Sequence, residues 1–178
     1  VLFRSSNTVT GYDNYVIYLY QSSNSTLTSN TATGNDASGI FIDSSSNNVL
    51  TSNTAIGNDN HGIALAYQMS STDNNILTSN TATGNSNDGI NIYKNINNIL
   101  TSNTAAGNVN YGINIWSSSN NNTCINNESY NNNTGLYVAD STNITVIGDD
   151  YGLSGSNGQE DVKIDDTPSS STLFFYGV

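Results

Sequence analysis

Apolar and polar residues alternate along this chain in short runs, and similar runs return at nearly constant intervals. In Ile90-Asn91-Ile92 and in Ile76-Leu77-Thr78-Ser79, apolar or small side chains alternate with polar ones. This period of two predicts β-strands, and no run has the 3.6-residue period of an amphipathic helix. Clusters of Gly, Asn and Ser separate the runs and predict turns. The pattern therefore predicts an all-β chain of short strands.

One sequence unit is repeated through most of the chain. Each copy ends in Gly-Ile-x-Ile or a close variant, and the glycines lie 23, 27, 23 and 23 residues apart: Gly39, Gly62, Gly89, Gly112 and Gly135. Such a unit is typical of one coil of a solenoid, in which coils stack about 4.8 Å apart. We predict a single-domain right-handed parallel β-helix of about six to seven coils. The repeats span residues 1–147, and residues 148–178 form an irregular cap of loops and capping or subunit-pairing strands.

Stacking places equivalent residues of successive coils in columns. We expect one inward column to hold Ile17, Ile40, Ile63, Ile90, Ile113 and Leu136, and a second to hold Leu27, Leu50, Leu77, Leu100 and Cys124. A further column lies at a turn, where asparagine side chains can hydrogen-bond from coil to coil: Asn7, Asn30, Asn53, Asn80 and Asn103. We interpret these asparagines as structural and not as ligand-binding residues.

Composition narrows the range of partners. Three Lys and Arg residues stand against fourteen Asp and Glu residues, giving a formal net charge of −11. This charge argues against binding to nucleic acid or to an anionic membrane surface. No run approaches the ~18 apolar residues of a membrane span, so we expect no membrane insertion in this segment. Only 10% of the residues are charged, and a surface rich in Asn, Ser and Thr is typical of extracellular or cell-surface proteins.

The repeat resembles a known family. The pattern Asn-Asn-x-Leu-Thr-Ser-Asn-Thr-Ala-x-Gly-Asn followed by Gly-Ile-x-Ile is similar to repeats of NosD-type right-handed parallel β-helix proteins, over about residues 6–147. These belong to a grouping of carbohydrate-binding proteins and sugar hydrolases, and such repeats are abundant in surface proteins of methanogenic archaea. The resemblance implies the β-helix fold and an archaeal-like cell surface. The NosD name implies copper-enzyme maturation, but one His, one Met and one Cys are too few for a copper site.

Signals for catalysis or metal binding are weak. Polygalacturonase-like enzymes combine carboxylates with a His and basic residues, but His61 and Asp149 lie about four coils apart, too far to act on one bond. We therefore expect no enzyme and no catalytic residues. Asp13, Asp36 and Asp59 share one position in three successive coils. Either a calcium ion bridges their carboxylates, which would make it the one cofactor of the protein, or they are solvated turn residues. The column ends at Ser86 and Val109, which favours solvated residues.

Three surface features suggest contacts. Outward aromatic residues after the Gly-Ile motifs are suited to stacking on glycans or anchoring a partner: Tyr18, Tyr20, Phe41, Tyr67, Tyr93, Trp116 and Tyr137. The apolar segment of Leu173, Phe174, Phe175 and Tyr176 can cap the end of the solenoid or pair with another subunit. Four Asn-x-Ser/Thr triplets at predicted turns are candidates for N-glycosylation: Asn24, Asn121, Asn132 and Asn143.

The sequence favours a non-enzymatic, extracellular structural or adhesive module, a self-assembling subunit of a cell-surface layer, sheath or filament. Its expected partners are further copies or other cell-surface proteins. The alternative is a glycan-binding module that uses the Tyr/Trp face. A carbohydrate-active enzyme and an ice-binding protein, the latter suggested by ranks of outward threonines such as Thr31, Thr54 and Thr81, stay open as further alternatives.

Overall fold

The computed structural model describes residues 3–66, 73–152, 156–165 and 171–176. Every regular element in this part of the chain is a β-strand, and the strands form three parallel sheets of eight, six and seven strands. In each of the first six coils the chain contributes one strand to each sheet in turn. The all-β parallel β-helix predicted from the repeat is therefore confirmed.

We name the three faces sheets A, B and C. Sheet A contains β1 (Phe3–Ser5), β4 (Thr26–Thr28), β7 (Val49–Thr51), β10 (Ile76–Thr78), β13 (Ile99–Thr101), β16 (Thr123–Ile125), β19 (Ile144–Ile147) and β21 (Leu173–Tyr176). Sheet B contains β2 (Thr8–Thr10), β5 (Thr31–Thr33), β8 (Thr54–Ile56), β11 (Thr81–Thr83), β14 (Thr104–Ala106) and β17 (Glu128–Tyr130). Sheet C contains β3 (Ile17–Tyr20), β6 (Ile40–Asp43), β9 (Ile63–Ala66), β12 (Ile90–Tyr93), β15 (Tyr111–Trp116), β18 (Thr134–Ala139) and β20 (Glu160–Asp165).

The register pairs each residue with its equivalent in the next coil. Leu27 pairs with Leu50, and Ile40 pairs with Ile63. Because side chains alternate between the faces of a strand, every second residue of each short strand enters the core. The Ile and Leu columns are fully buried along most of their length, and Cys124, a free thiol, takes the place of a Leu. The interior is therefore a set of apolar columns with a uniform period.

Glycine precedes the sheet C strands because the chain passes too close to its neighbours for a side chain. A Cβ added at Gly89 would lie 2.7 Å from both the Gly112 carbonyl oxygen and the Asn108 amide nitrogen. Gly39, Gly62 and Gly112 show the same crowding. The glycine thus fixes how the turn from sheet B enters sheet C.

Buried asparagines form ladders at the turns. In the ladder between sheets A and B, each Asn donates its backbone N–H and its side-chain Nδ2 to Oδ1 of the Asn in the next coil, through Asn7, Asn30, Asn53, Asn80, Asn103 and Asn127. A parallel ladder runs through Asn35, Asn58, Asn85, Asn108 and Asn132. An amide both donates and accepts, so each side chain satisfies a turn that the sheets leave unpaired.

An aspartate ends the first ladder. Asp149 is buried and accepts hydrogen bonds from the backbone and side chain of Asn127, and from the Tyr151 hydroxyl at 2.5 Å. A carboxylate only accepts, so it completes the column without an onward donor. Burial raises the pKa of Asp149, while the hydrogen bonds from Tyr151 and Asn127 oppose that rise.

The C-terminal segment continues the sheets. β20 pairs in parallel with β18, and β21 pairs in parallel with β19. Leu173 packs against the core, whereas Phe174, Phe175 and Tyr176 remain exposed. These strands therefore extend the solenoid beyond residue 147.

We predict that Asn80→Ala lowers the free energy of unfolding by on the order of 3 kcal/mol, because it leaves buried donors and acceptors of Asn53, Asn103 and Leu50 unpaired. Thr83→Ala is the control, because Thr83 is half-buried and its partner in the next coil is already Ala106. Its effect should stay within about 0.5 kcal/mol. Urea unfolding followed by circular dichroism measures both, and equal effects would contradict the ladder's role.

We predict that Asp149→Asn stabilises the protein at neutral pH and has little effect in acid. Because burial raises the pKa of Asp149 in the folded state, its contribution to stability is fully present below the unfolded pKa and is lost as pH rises through the folded pKa. Asparagine has no such loss, and its amide can extend the ladder. Thermal midpoints across the pH range provide the measurement. A thermal midpoint at neutral pH that is higher for the wild-type protein than for the variant would refute this account.

Candidate functional site

The candidate site lies on the outer side of sheet C. One column of the site consists of the residues that immediately precede the repeat glycines: Ser38, His61, Asp88, Tyr111 and Thr134. Backbone hydrogen bonds from Gly39 to His61, from Gly62 to Asp88 and from Gly89 to Tyr111 stack these residues one coil apart. An imidazole, a carboxylate and a phenol therefore follow one another along the axis of the solenoid.

A chain of polar contacts orients the imidazole. The Trp116 indole N–H donates to Asn91 Oδ1 at 2.9 Å, which turns Asn91 Nδ2 towards His61 Nε2, 3.4 Å away. Indole N–H and amide NH₂ groups only donate, so Nε2 must be the accepting nitrogen and Nδ1 carries the proton. His61 Nδ1 lies 3.2 Å from Asp88 Oδ2, although its angle falls short of a hydrogen bond. The imidazole thus has its Nδ1 next to a carboxylate and its accepting Nε2 next to an amide.

Asp88 is held in place by two hydrogen bonds and also contacts His61. Its side chain is 3% exposed, its Oδ2 accepts from Asn114 Nδ2 at 2.9 Å, and its Oδ1 accepts from the Tyr111 backbone N–H at 3.2 Å. His61 is 16% exposed and so is reachable from solvent. The carboxylate therefore positions its neighbours, and the imidazole is the group that can meet a ligand.

Aromatic rings form the walls of a cleft above this set. Tyr111 and Tyr137 stack with their centroids 4.3 Å apart and their planes 6° apart, and Trp116 packs on Tyr93 at 4.5 Å. The cleft encloses about 320 Å³ and is lined by His61, Asn87, Asp88, Tyr111, Asn114, Trp116 and Tyr137. Aromatic walls over a polar floor suit the two faces of a sugar ring.

The two stacked tyrosines are proton donors at neutral pH. Burial and the Asp165 carboxylate raise the pKa of Tyr137 to about 12, and its hydroxyl donates to Asp165 Oδ2 at 3.3 Å. Burial, followed by the Asp88 and Asp165 carboxylates, raises the pKa of Tyr111. The cleft thus combines an imidazole that has an accepting nitrogen with two protonated phenols.

The predicted aromatic face is divided by the structure. Trp116 and Tyr137 belong to the cleft, and Tyr93 supports Trp116. Tyr18 and Tyr20 are exposed in the first coil of sheet C. Phe41, predicted to be exposed, is buried, because Tyr15 and Tyr18 stack on its ring. Tyr67 lies outside the described residues.

Other predicted surface sites have mixed outcomes. Asn24, Asn121 and Asn143 are exposed at left-handed turn positions, which keeps them open as glycosylation candidates. The prediction for Asn132 is wrong, because this residue is buried in the second ladder and its amide donates to the Ala105 carbonyl.

The calcium prediction gains no support from the geometry. Asp13, Asp36 and Asp59 are exposed. Within the described ranges, no three His, Cys, Asp or Glu side chains come together as a group able to hold a metal ion. The same part of the chain has no helix long and apolar enough to cross a membrane.

Sequence reasoning missed the partners of His61. It compared His61 with Asp149 four coils away, whereas Asp88 lies in the adjacent coil. The signal was present, since both residues immediately precede a repeat glycine, Gly62 and Gly89. The amide contacts of Asn91 to His61 and of Asn114 to Asp88 depend on side-chain conformations that the spacing does not reveal.

We predict that the neutral imidazole of His61 carries its proton on Nδ1, and that Asp88→Ala increases the Nε2–H form because it removes the facing carboxylate. His61 is the one histidine of the chain, so its ¹⁵N chemical shifts can be assigned without ambiguity. Asp59→Ala removes an equal charge two residues away, at an exposed site, and should leave the tautomer unchanged. A wild-type spectrum dominated by Nε2–H would contradict the assignment.

Several solved structures resemble the chain across nearly all of its length. A double mutant of the periplasmic alginate epimerase AlgG gives a TM-score of 0.73 at 23% identity, covering 98% of this chain and 43% of that one. The A-module of the Azotobacter vinelandii mannuronan C-5 epimerase AlgE6 gives 0.78 at 15% identity, covering 98% and 53%. The AlgE4 A-module gives 0.65 at 18% identity, covering 99% and 60%. This chain thus spans less than two thirds of each of these proteins. The TM-scores show a shared fold at low sequence identity.

The comparisons overturn the expectation of a non-enzymatic structural or adhesive module. The solved structures that this chain resembles are sugar epimerases, and self-assembly finds no support among them. No curated protein matches the chain. A family model described as a right-handed β-helix region matches residues 1–129 and 66–165. The chain therefore belongs to the right-handed β-helix family.

Proposed function

We propose that this protein is a carbohydrate-active enzyme that moves the C-5 proton of a uronic acid unit within a polysaccharide. The observation that carries the proposal is the orientation of His61, whose Nδ1 faces the buried Asp88 and whose Nε2 is the accepting nitrogen. An imidazole held by a carboxylate is suited to general base catalysis near neutral pH. The aromatic walls of the cleft supply a sugar-binding surface around it.

Proton transfer fits the cleft better than hydrolysis. Glycosidases need two carboxyl groups placed on either side of the bond that breaks. Among the described lining residues, Asp88 is the one carboxylate, and its oxygens already face His61, Asn114 and the Tyr111 backbone. Base chemistry therefore falls to the imidazole.

The spacing of the column suits reactions on two sides of one ring. His61 and Tyr111 lie two coils apart, which corresponds to about 10 Å along the axis. A sugar ring above Asp88 and Asn114 would have the imidazole on one side and the phenols on the other. The bound ring displaces the Asn91 amide from His61 Nε2, and this nitrogen then takes the C-5 proton. The Tyr111 hydroxyl returns a proton to the opposite face, since the Tyr137 hydroxyl already donates to Asp165. The product is the C-5 epimer, and no bond of the polysaccharide backbone breaks.

The C-5 proton is acidic only when the neighbouring carboxylate is held by a cation or by hydrogen-bond donors. Lys163 pairs in register with Tyr137 across β18 and β20, one coil beyond the cleft on its C-terminal side, and we propose its ammonium group as that cation. A net charge of −11 repels long polyanions, so this lysine is an important attractive charge in the proposal. The epimerases of similar fold act on alginate and mannuronan, which supports a uronate polysaccharide as the substrate.

The proposed location is outside the cytoplasm, in the periplasm or beyond the cell. A periplasmic epimerase is among the similar structures, and the low content of charged residues agrees with this. The NosD-type repeat resemblance agrees with a cell-surface location.

The test is incubation with uronate polysaccharides in D₂O, followed by ¹H NMR at the H-5 position. We expect deuterium to enter C-5 with inversion, and His61→Gln to reduce this rate at least about 100-fold. Elimination would instead yield unsaturated chain ends that absorb in the ultraviolet. Asp59→Asn is the control because Asp59 is exposed and lies outside the cleft.

Folding of each variant is checked by circular dichroism. The proposal is wrong if the wild-type protein exchanges no C-5 proton in any uronate polymer tested. It is also wrong if His61→Gln exchanges C-5 protons as fast as the wild type.

A further inference from the structure

One acceptor in the floor of the cleft has no partner. Asn114 is 6% exposed, and its Oδ1 is buried without a hydrogen bond. Its amide orientation is fixed by chemistry, since the group that faces Asp88 Oδ2 at 2.9 Å must be the donating Nδ2. The carbonyl end of the side chain therefore cannot turn to Asp88 for a partner.

An unpaired buried acceptor destabilises the fold, so each one in a native structure calls for an explanation, such as a group that pairs with it when the site is occupied. Asn114 lines the cleft between the Tyr111–Tyr137 stack and Trp116. The ladder asparagines of the solenoid use Oδ1 within the fold, as Asn80 does for Asn53. Asn114 therefore differs from these structural asparagines because it lines the cleft and its Oδ1 is unpaired.

The chemistry around Asn114 selects the group that can pair with Oδ1. The partner must donate a hydrogen bond, and the nearby Asp88 carboxylate disfavours any anionic group at this position. We infer that Asn114 Oδ1 accepts a hydrogen bond from one free ring hydroxyl of the bound sugar, and that Asn114 is a specificity-determining residue. This inference rests on the proposed function, because it assigns a contact within the same cleft.

The assignment also orients the sugar. If one ring hydroxyl lies over Asn114, beside Asp88, the acidic group of the ring points away from that carboxylate. Lys163, which pairs in register with Tyr137, offers the cation for it one coil further along. Methylation of the recognised sugar hydroxyl would leave Asn114 Oδ1 unpaired, and the added methyl group would fill the space above this oxygen. A site that uses a buried polar group in this way rejects analogues lacking the matching group.

The test is a binding cycle read by tryptophan fluorescence. Trp116 is the one tryptophan of the chain and lines the cleft, so its emission reports occupancy directly. The probes are a mannuronate trisaccharide and a series in which each ring hydroxyl is methylated singly. The proteins are His61→Gln, which prevents turnover, and the double variant His61→Gln with Asn114→Leu. The control, Asn14→Leu, changes an exposed asparagine of the first coil, outside the cleft lining.

We expect one methylation to weaken binding to His61→Gln by roughly 5- to 100-fold, and to change binding to the Asn114→Leu double variant less than twofold. The same methylation should retain its full effect in the Asn14→Leu background. If Asn114→Leu and the methylation weaken binding independently, the inference is overturned. If no uronate oligosaccharide changes the emission of Trp116 in any variant, the proposed function fails instead.

Discussion

Coil-to-coil hydrogen bonding is the constraint on which the rest of this structure depends. Strands of successive coils pair in strict register, and the turns between them are completed by asparagine amides that pair at the same spacing. A turn buried against its neighbours has backbone groups that water cannot reach. The ladders satisfy these groups with side chains that repeat once in every coil. As a result, a given position in the repeat keeps one environment along the axis.

This constraint separates the positions that must be uniform from those that are free to vary. Inward Ile and Leu columns, crowded glycines and ladder asparagines cannot change without a cavity, a clash or an unpaired group. Outward positions of sheet C have no such demand. One outward column accepts Ser38, His61, Asp88 and Tyr111 in successive coils on the same backbone. A site can thus be assembled from neighbouring coils by changing residues that the fold does not need.

The fold could be predicted because its signals are periodic. The recurrence of Gly-Ile-x-Ile established the coil length, and the alternation in Ile90-Asn91-Ile92 gave strands with one inward face. The site could be predicted only in part. Columns follow from the repeat, so the adjacency of His61 and Asp88 was available from spacing alone. The burial of Phe41 and the amide orientations of Asn91 and Asn114 were not, since these depend on how particular side chains pack and pair.

The cleft lies where the repeat is broken. At the position after Gly-Ile, the first and sixth coils carry tyrosine and the second phenylalanine, whereas the fourth and fifth carry Asn91 and Asn114. The third coil carries Ala64. Smaller polar side chains thus replace the aromatic rings of the end coils in the fourth and fifth coils, and Asn114 lines the cleft there. Each of these amides faces a charged or ionisable neighbour, His61 for Asn91 and Asp88 for Asn114. In the ladders the same residue type pairs with itself and serves the fold. A titratable partner also occurs in the ladder, where Asn127 donates to Asp149. Asn114 differs from the ladder asparagines because it lines the cleft and keeps an unpaired Oδ1.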